Sequence, residues 1–360
     1  LLFADDLVLI AENPTMLQKL LDALKEWCLD NGMSINPNKT KIMHFRYPRK
    51  KICQFQFTCG EVTIQYTDCY KYLGVDFSEH LSWAKSVENT AISANKAASY
   101  LIAKARSSGA FVYTVYNHLY NTLVLPIIEY SSFIWGLKSF DHISKIQNNL
   151  MRSFLGVGRN APIAALLGEM GWLPIAVLTK ISCIRFWLRL SKMSQTRLNY
   201  AIFAESCTLA ENGKKNWAFY IKAYLHDLSI NLGFSPSIHD EHFIQYYKDA
   251  ATNLYKLEWL RQIQMVREAS ETGGRLNIYR RIKADFPTTE RYVANIRSVG
   301  VRRVLAGLRV GCLPLAVETG RYTGVPLCQR SCRLCDRGEV EDQIHFLIIC
   351  PAFNQFRLQL

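Results

Sequence analysis

Apolar runs at Leu1-Leu2-Phe3-Ala4 and Leu7-Val8-Leu9-Ile10-Ala11 predict two short, largely buried strands with Asp5-Asp6 at the turn between them. An extended strand sends neighbouring side chains to opposite faces, so a turn is what lets both carboxylates point toward one place. Asn13-Pro14 then opens a helix, with Asn as cap and Pro in the first turn. Leu17, Leu20, Leu21, Leu24, Trp27 and Cys28 recur at helical spacing until Asn31-Gly32 stops it. Residues 41–45 alternate like a strand, and 55–57, 62–66 and 70–75 read as further strands, with turns at Asn36-Pro37-Asn38, Cys59-Gly60 and Thr67-Asp68. Residues 1–80 are therefore expected to be α+β, a helix packed on an antiparallel sheet.

From Trp83 the pattern changes to long helices over 84–106, 111–125, 140–155 and 177–193, broken at Gly109, Pro126, Gly156, Gly158, Pro162 and Pro174. Weaker helical patterning continues over 195–300, with loops at Asn212-Gly213, Ser235-Pro236 and Gly273-Gly274. The expected organisation is an α+β segment (1–80), a helical segment (81–195), a helical linker that turns basic toward its end (196–300) and a small Cys-containing module (301–360).

Composition narrows the class. With 49% hydrophobic and 20% charged residues the chain is globular. Residue one already lies inside an apolar strand, which points to the C-terminal part of something larger. A secretory signal pattern is not apparent, and the longest apolar stretch, 122–136, is interrupted by Pro126 and Glu129 and is too short for a bilayer. A membrane partner is not expected. The net charge of +13 favours a polyanion, nucleic acid first. Residues 261–310 hold eleven Arg/Lys against four Asp/Glu. Beside Tyr255, Trp259, Tyr279, Phe286 and Tyr292 they would make a phosphate-tracking surface, with Arg302 and Arg303 as candidate contacts. The alternative is an ordinary solvated helix surface.

Two constellations carry chemistry. Clustered carboxylates at Asp5 and Asp6 suit Mg²⁺, a hard cation that takes oxygen ligands; the alternative is a solvated hairpin turn. Seven of the eleven cysteines are scattered singly through the first 312 residues, the habit of buried thiols in a reducing compartment. The rest are different. Cys332 and Cys335 have knuckle spacing, His345 follows after nine residues and Cys350 after four more, a closed ligand set for structural Zn²⁺. The nine-residue spacer leaves room for a helical turn over 339–344. Cys328 is a weaker competitor, and the bland reading makes His345 and Cys350 simple core. A closed set leaves no position for a reacting water, so the module is expected to act as a nucleic-acid clamp or fold staple and does not suggest hydrolysis. Neither a GxSxG elbow nor a Gly-rich phosphate loop is present in a fitting context.

In combination these pieces resemble the C-terminal portion of non-LTR (LINE-type) retrotransposon reverse transcriptases. Phe3-Ala4-Asp5-Asp6 resembles their aromatic-x-Asp-Asp hairpin, INPNKTKIM the next palm motif, and YKYLGVDF the strand pair that grips the primer. LVLPIIEYSSFIWG, KIQNNLMRSFLGVGRNAPIAALLGEMGWLPI and LRVGCLPLAVETGRYTGVP are similar to the helical region and linker. CRLC followed by VEDQIHFLIICPAF is similar to the terminal Cys-Cys-His-Cys module. The resemblance implies a palm remnant, a helical thumb and linker, and a zinc module. It implies RNA-directed DNA polymerisation with Mg²⁺, an RNA template, a DNA primer or target and dNTP. Asp5 would be a direct metal ligand, Asp6 its helper, Lys39 (with Lys41 second) the proton donor to pyrophosphate, and Tyr72-Leu73-Gly74 the primer support. Residence would be intracellular, nuclear or cytoplasmic. The family's earlier palm segment, with a further metal-binding Asp, has no match among these residues, so the chain alone is expected not to polymerise. A non-catalytic nucleic-acid-binding relic, acting through basic helices and the zinc module, is the alternative.

Overall fold

The computed structural model describes residues 1–230, 242–264, 276, 278–283 and 285–359. Among them the chain forms two compact units, Leu1–Asn89 and Thr90–Leu360.

The first unit contains three separate two-stranded antiparallel hairpins in place of the expected single sheet. Strands β1 (Leu2–Phe3) and β2 (Asp6–Leu7) pair Leu2 with Leu7 and Phe3 with Asp6. The turn is therefore Ala4-Asp5, one residue earlier than the apolar pattern predicts, and Asp6 already belongs to the second strand. Ala4 takes up the left-handed backbone, φ 53°. The expected burial is absent too: Leu2 is 72% and Phe3 64% exposed, and only Leu9 of the apolar run joins the local core.

Helix α1 (Pro14–Asp30) begins as predicted, the Asn13 side chain accepting the Met16 N–H at 2.9 Å. It lays Leu21 onto Phe57 and Ile64 of the hairpin β3 (Phe57–Cys59) and β4 (Val62–Ile64), with Ile42. Gln18 fixes that seam: its Nε2 donates to the Thr58 carbonyl at 2.8 Å and its Oε1 accepts the Thr58 N–H at 3.0 Å, satisfying an edge strand. The strand expected at 41–45 shrinks to one parallel bridge, Ile42 to Tyr66. Beyond it Arg46 turns its guanidinium back to the Lys50 carbonyl and to Glu79. The third hairpin, β5 (Cys69–Tyr72) and β6 (Val75–Ser78), closes through Leu73 and Gly74, both at positive φ (47° and 80°), the two-residue turn whose twist suits paired strands.

The second unit is helical among the described residues. Helix α2 (Ala84–Ser107) runs through the unit boundary. Then come α3 (Tyr113–Leu119), a π-helical turn (Tyr120–Val124) and α4 (Leu125–Glu129). Pro126 does not break this stretch as expected. The wider turn just ahead of it absorbs the N–H that proline lacks and its clash with the preceding carbonyls. After α5 (Ser132–Trp135) come α6 (Asp141–Leu155), α7 (Ile163–Met170) and α8 (Ile175–Ser191). The weakly patterned region holds α9 (Leu198–Glu211), α10 (Trp217–Asp227) and α11 (His242–Gln264). With α8 these enclose a core that includes Ile184, Trp187, Phe203, Ile221, Tyr224 and Tyr247. The loop at Asn212-Gly213 is present, whereas those at Ser235-Pro236 and Gly273-Gly274 lie outside the described residues. No single helix among the described residues is long and apolar enough to cross a membrane.

Short helices follow, among them α12 (Tyr279–Ile282), α13 (Arg291–Asn295), α14 (Val299–Arg309) and α15 (Ala316–Tyr322). The first three of them are anchored to α7 by buried polar groups. Glu169 is fully buried and receives Arg309 in a fork, Nε at 2.8 Å and Nη2 at 3.0 Å. Arg309 also meets Glu290 at 2.9 Å, and Glu290 takes the buried Lys283 ammonium at 2.7 Å, so two cations balance two anions. Gly168 is required here: a Cβ on it would stand 2.3 Å from the Tyr279 hydroxyl, which donates to the Ala165 carbonyl.

Candidate functional site

The C-terminal knuckle brings four ligands together. Cys332 starts one side of a small antiparallel hairpin, its N–H donating to the Glu339 carbonyl at 2.9 Å, and Ser331 bridges to Val340. Gly338, φ 67°, allows the return of the chain. The Leu334 N–H donates to Cys332 Sγ at 3.4 Å, as expected where a CxxC loop wraps its thiolates. Glu339 thus lies in the hairpin, and the helical turn expected over 339–344 comes later, as a π-helical turn, His345–Ile349. That wide turn delivers Cys350 beneath His345, the Cys350 N–H bonding the His345 carbonyl at 2.7 Å.

The ligand atoms of Cys332, Cys335, His345 and Cys350 all lie within 4.8 Å of one another. Cys332 Sγ and Cys350 Sγ are 3.9 Å apart, and Cys335 Sγ is 3.4 Å from His345 Nε2. Ligands on one tetrahedral Zn²⁺ at ordinary bond lengths stand about 3.8 Å apart for two sulfurs and about 3.6 Å for sulfur and nitrogen, so the cluster fits that ion. Cys332, His345 and Cys350 are buried. Burial pushes the Cys332 thiol up, while the Arg337 backbone N–H pulls the Cys335 thiol down. The other ring nitrogen, His345 Nδ1, is 3.0 Å from Glu339 Oε2, and the His345 N–H donates to Asp342 Oδ1 at 2.7 Å. Sequence reasoning missed both carboxylates. Asp342, three residues before the histidine, carried a usable cap signal; Glu339 did not, because its role depends on hairpin register.

The knuckle is seated on α15. Glu341 Oε2 accepts the Ala316 N–H at 2.7 Å, and the Glu341 carbonyl accepts the Val317 N–H at 3.1 Å. Arg330, 2% exposed, donates to the Val317 and Val325 carbonyls.

The remaining site residues are placed as follows. Asp5 and Asp6 are exposed, and no third carboxylate joins them among the described residues. Lys39 is exposed in the Asn36 turn, and its carbonyl accepts the Tyr70 hydroxyl at 2.9 Å, tying that turn to the β5–β6 hairpin of Tyr72, Leu73 and Gly74. Two expectations for the basic stretch fail. Trp259, Tyr279 and Phe286 are at most 1% exposed and form core, because their rings pack on one another and on α7. Arg302 is 1% exposed: its guanidinium lies 4.0 Å over the Phe154 ring and donates to the Phe154, Ile296 and Arg297 carbonyls, leaving no face for phosphate. Arg303, its neighbour, is exposed. Arg267 and Arg275 lie outside the described residues.

Comparison with known proteins bears on the first unit through one family match. Residues 1–77 match the family of reverse transcriptases, described as RNA-dependent DNA polymerases. The chain is also similar to an uncharacterized transposon-derived protein of Caenorhabditis elegans, 28% identical over 133 residues, which is 37% of this chain and 47% of that protein. The chain thus spans about half the length of this curated relative. No solved structure matches it.

Proposed function

We propose that the chain is the end of the palm, the thumb and linker, and the zinc module of a non-LTR (LINE-type) retrotransposon reverse transcriptase, acting on an RNA template, a DNA primer or target, and dNTP. The observation that supports this best is the Phe3-Ala4-Asp5-Asp6 hairpin, which presents exposed carboxylates at a tight turn within the residues that match reverse transcriptases. Asp5, with Asp6, would hold Mg²⁺, which would supply activation of the primer hydroxyl and charge stabilisation of the pyrophosphate. Asp5 serves as ligand, Asp6 supports it, Lys39 protonates the leaving group, and the Leu73-Gly74 turn lets the primer end approach the backbone closely. Two carboxylates are an incomplete ligand set, so we expect the chain alone to leave a primer unextended. Zn²⁺ held by Cys332, Cys335, His345 and Cys350 staples the C-terminal module. Residence in the nucleus or cytoplasm follows from this reading.

The test is primer extension on an RNA template with Mg²⁺, by the chain alone and by the chain fused behind a fingers-and-palm segment that carries the missing aspartate. The reading expects extension from the fusion only, with Asp5→Asn reducing it on the order of a thousandfold. Extension by the fusion that Asp5→Asn leaves intact overturns it. A fusion inert in extension whose zinc-loaded chain still binds RNA supports the second reading, a nucleic-acid-binding relic. That reading is favoured by the contrast between the complete Cys3His cluster and the incomplete aspartate pair.

A further inference from the structure

Helix α6 ends at Gly156, φ 73°, whose N–H caps the Arg152 carbonyl, and a short loop of residues 157–160 follows. Three arginines from different segments meet there. Arg152 projects from the last turn of α6, and its Nη2 reaches the Arg159 carbonyl at 3.5 Å. Arg159 lies exposed at the far end of the loop. Arg303, on α14, packs its stem against Gly156, where a Cβ would lie only 2.9 Å from the Arg303 Cβ.

None of the three is in an ion pair with a carboxylate among the described residues, in contrast to Arg309 with Glu169 and Glu290. Arg152 Nε is buried and has no hydrogen-bond partner. A buried N–H without an acceptor is rare, because desolvation is not repaid, and it marks a place where an acceptor belongs. Burial and the nearby Arg159 charge both push the Arg152 guanidinium down, the opposite of what a neutralising partner would do. Beside the loop stands Tyr322, 64% exposed, its hydroxyl 3.3 Å from Asn160 Nδ2.

We propose that this loop, with Arg152, Arg159, Arg303 and Tyr322, is a binding site for the phosphodiester backbone of a single-stranded nucleic acid. Unpaired guanidiniums on three segments suit successive phosphates better than one compact anion, and an exposed ring beside them offers a platform for a base. The choice of nucleic acid as the anion rests on the proposed function; the anion site itself rests on the arginines. Of the phosphate contacts expected from sequence, Arg303 belongs to this site, whereas Arg302 and the Trp259, Tyr279 and Phe286 rings are core.

The experiment measures binding of a fluorescent oligouridylate of about twelve nucleotides to the full zinc-loaded chain, by anisotropy, between about 50 and 300 mM potassium chloride. Changing Arg152, Arg159 and Arg303 together to Gln should flatten the plot of log affinity against log salt by about two, roughly 0.7 for each phosphate that is no longer neutralised. A control with Lys192, Lys214 and Lys215 changed to Gln, equal in charge, should leave the slope unchanged. Tyr322→Ala should weaken binding on the order of tenfold at constant slope. Since Arg152→Gln could perturb α6, the exposed pair Arg159→Gln with Arg303→Gln is measured too and should flatten the slope by about 1.4. Equal slopes for the site and control variants overturn the inference while leaving the polymerase reading to the extension assay. A wild-type chain that binds no single strand also overturns it, and extension by the fusion then decides the polymerase reading separately.

Discussion

His345 holds Glu339 at one ring nitrogen and faces Cys335 with the other, 3.0 Å and 3.4 Å away. A carboxylate at Nδ1 keeps the proton on that nitrogen and leaves the Nε2 lone pair free for a metal. Glu339→Gln should therefore weaken zinc binding by about 10- to 100-fold without abolishing it, read by competition with a chromogenic chelator. Unchanged affinity would show that the pair is incidental.

Cys350 is fully buried at the end of a turn that exists to bring it under His345. Cys350→Ser should lower bound zinc from about one ion per chain to a small fraction, and a chelator should do the same to the wild type. The matching readout is amide exchange: residues 330–350 should lose protection while α8–α10 keep theirs. Equal protection with and without zinc would argue that the module is held by packing alone.

Adjacent arginines in α14 should behave oppositely. Arg302 satisfies three carbonyls from inside the core, so Arg302→Met should destabilise by about 3 kcal/mol, because buried acceptors lose their donors. Arg303→Met should change stability by no more than about 0.5 kcal/mol. Urea unfolding of both variants decides it.

Glu169 and Arg309 are 140 residues apart and joined by two hydrogen bonds. Removing one partner strands a buried charge, so Arg309→Met should destabilise by about 3–5 kcal/mol. Glu169→Leu with Arg309→Met should recover part of that loss, although Glu290 and Lys283 limit the recovery. A double variant as unstable as the sum of the singles would show that the two do not act together.

Burial holds the Glu129 carboxyl above its ordinary value, against the lowering pull of Arg185 and Lys248. Its folded form therefore binds the proton more tightly than its unfolded form. In the window from the unfolded carboxylate value, about 4.3, up to the raised folded value, stability falls as pH rises. Glu129→Gln should remove that slope and be more stable than the wild type at neutral pH; a wild-type chain whose stability does not fall across the window contradicts the account.

Much of the local architecture was legible. The Asn13-Pro14 helix start, the ends of α2, α6 and α8 to within a few residues, and the four residues of the Cys3His cluster all depend on neighbours close in sequence. Caps, apolar spacing and knuckle spacing act over one or two turns of chain, so a linear reading catches them. The aspartate turn was displaced by one residue for the same reason in reverse: strand register is a pairwise property, and Phe3 chose Asp6 as its partner.

What composition suggested about the basic stretch was decided by packing. Charge and aromatic content are alike for a surface and a core, and only the fold shows that Trp259 and Tyr279 cover Gly168 and that Arg302 points inward while Arg303 points out. Glu339, Glu169 with Arg309, and the unpaired Arg152 beside Arg159 and Arg303 were invisible for one physical reason. Their meaning lies in which groups from elsewhere in the chain arrive to share or to withhold a hydrogen bond, and that is settled in three dimensions; the sequence by itself determined the Asn13-Pro14 helix start, the spans of α2, α6 and α8 and the four candidate zinc ligands.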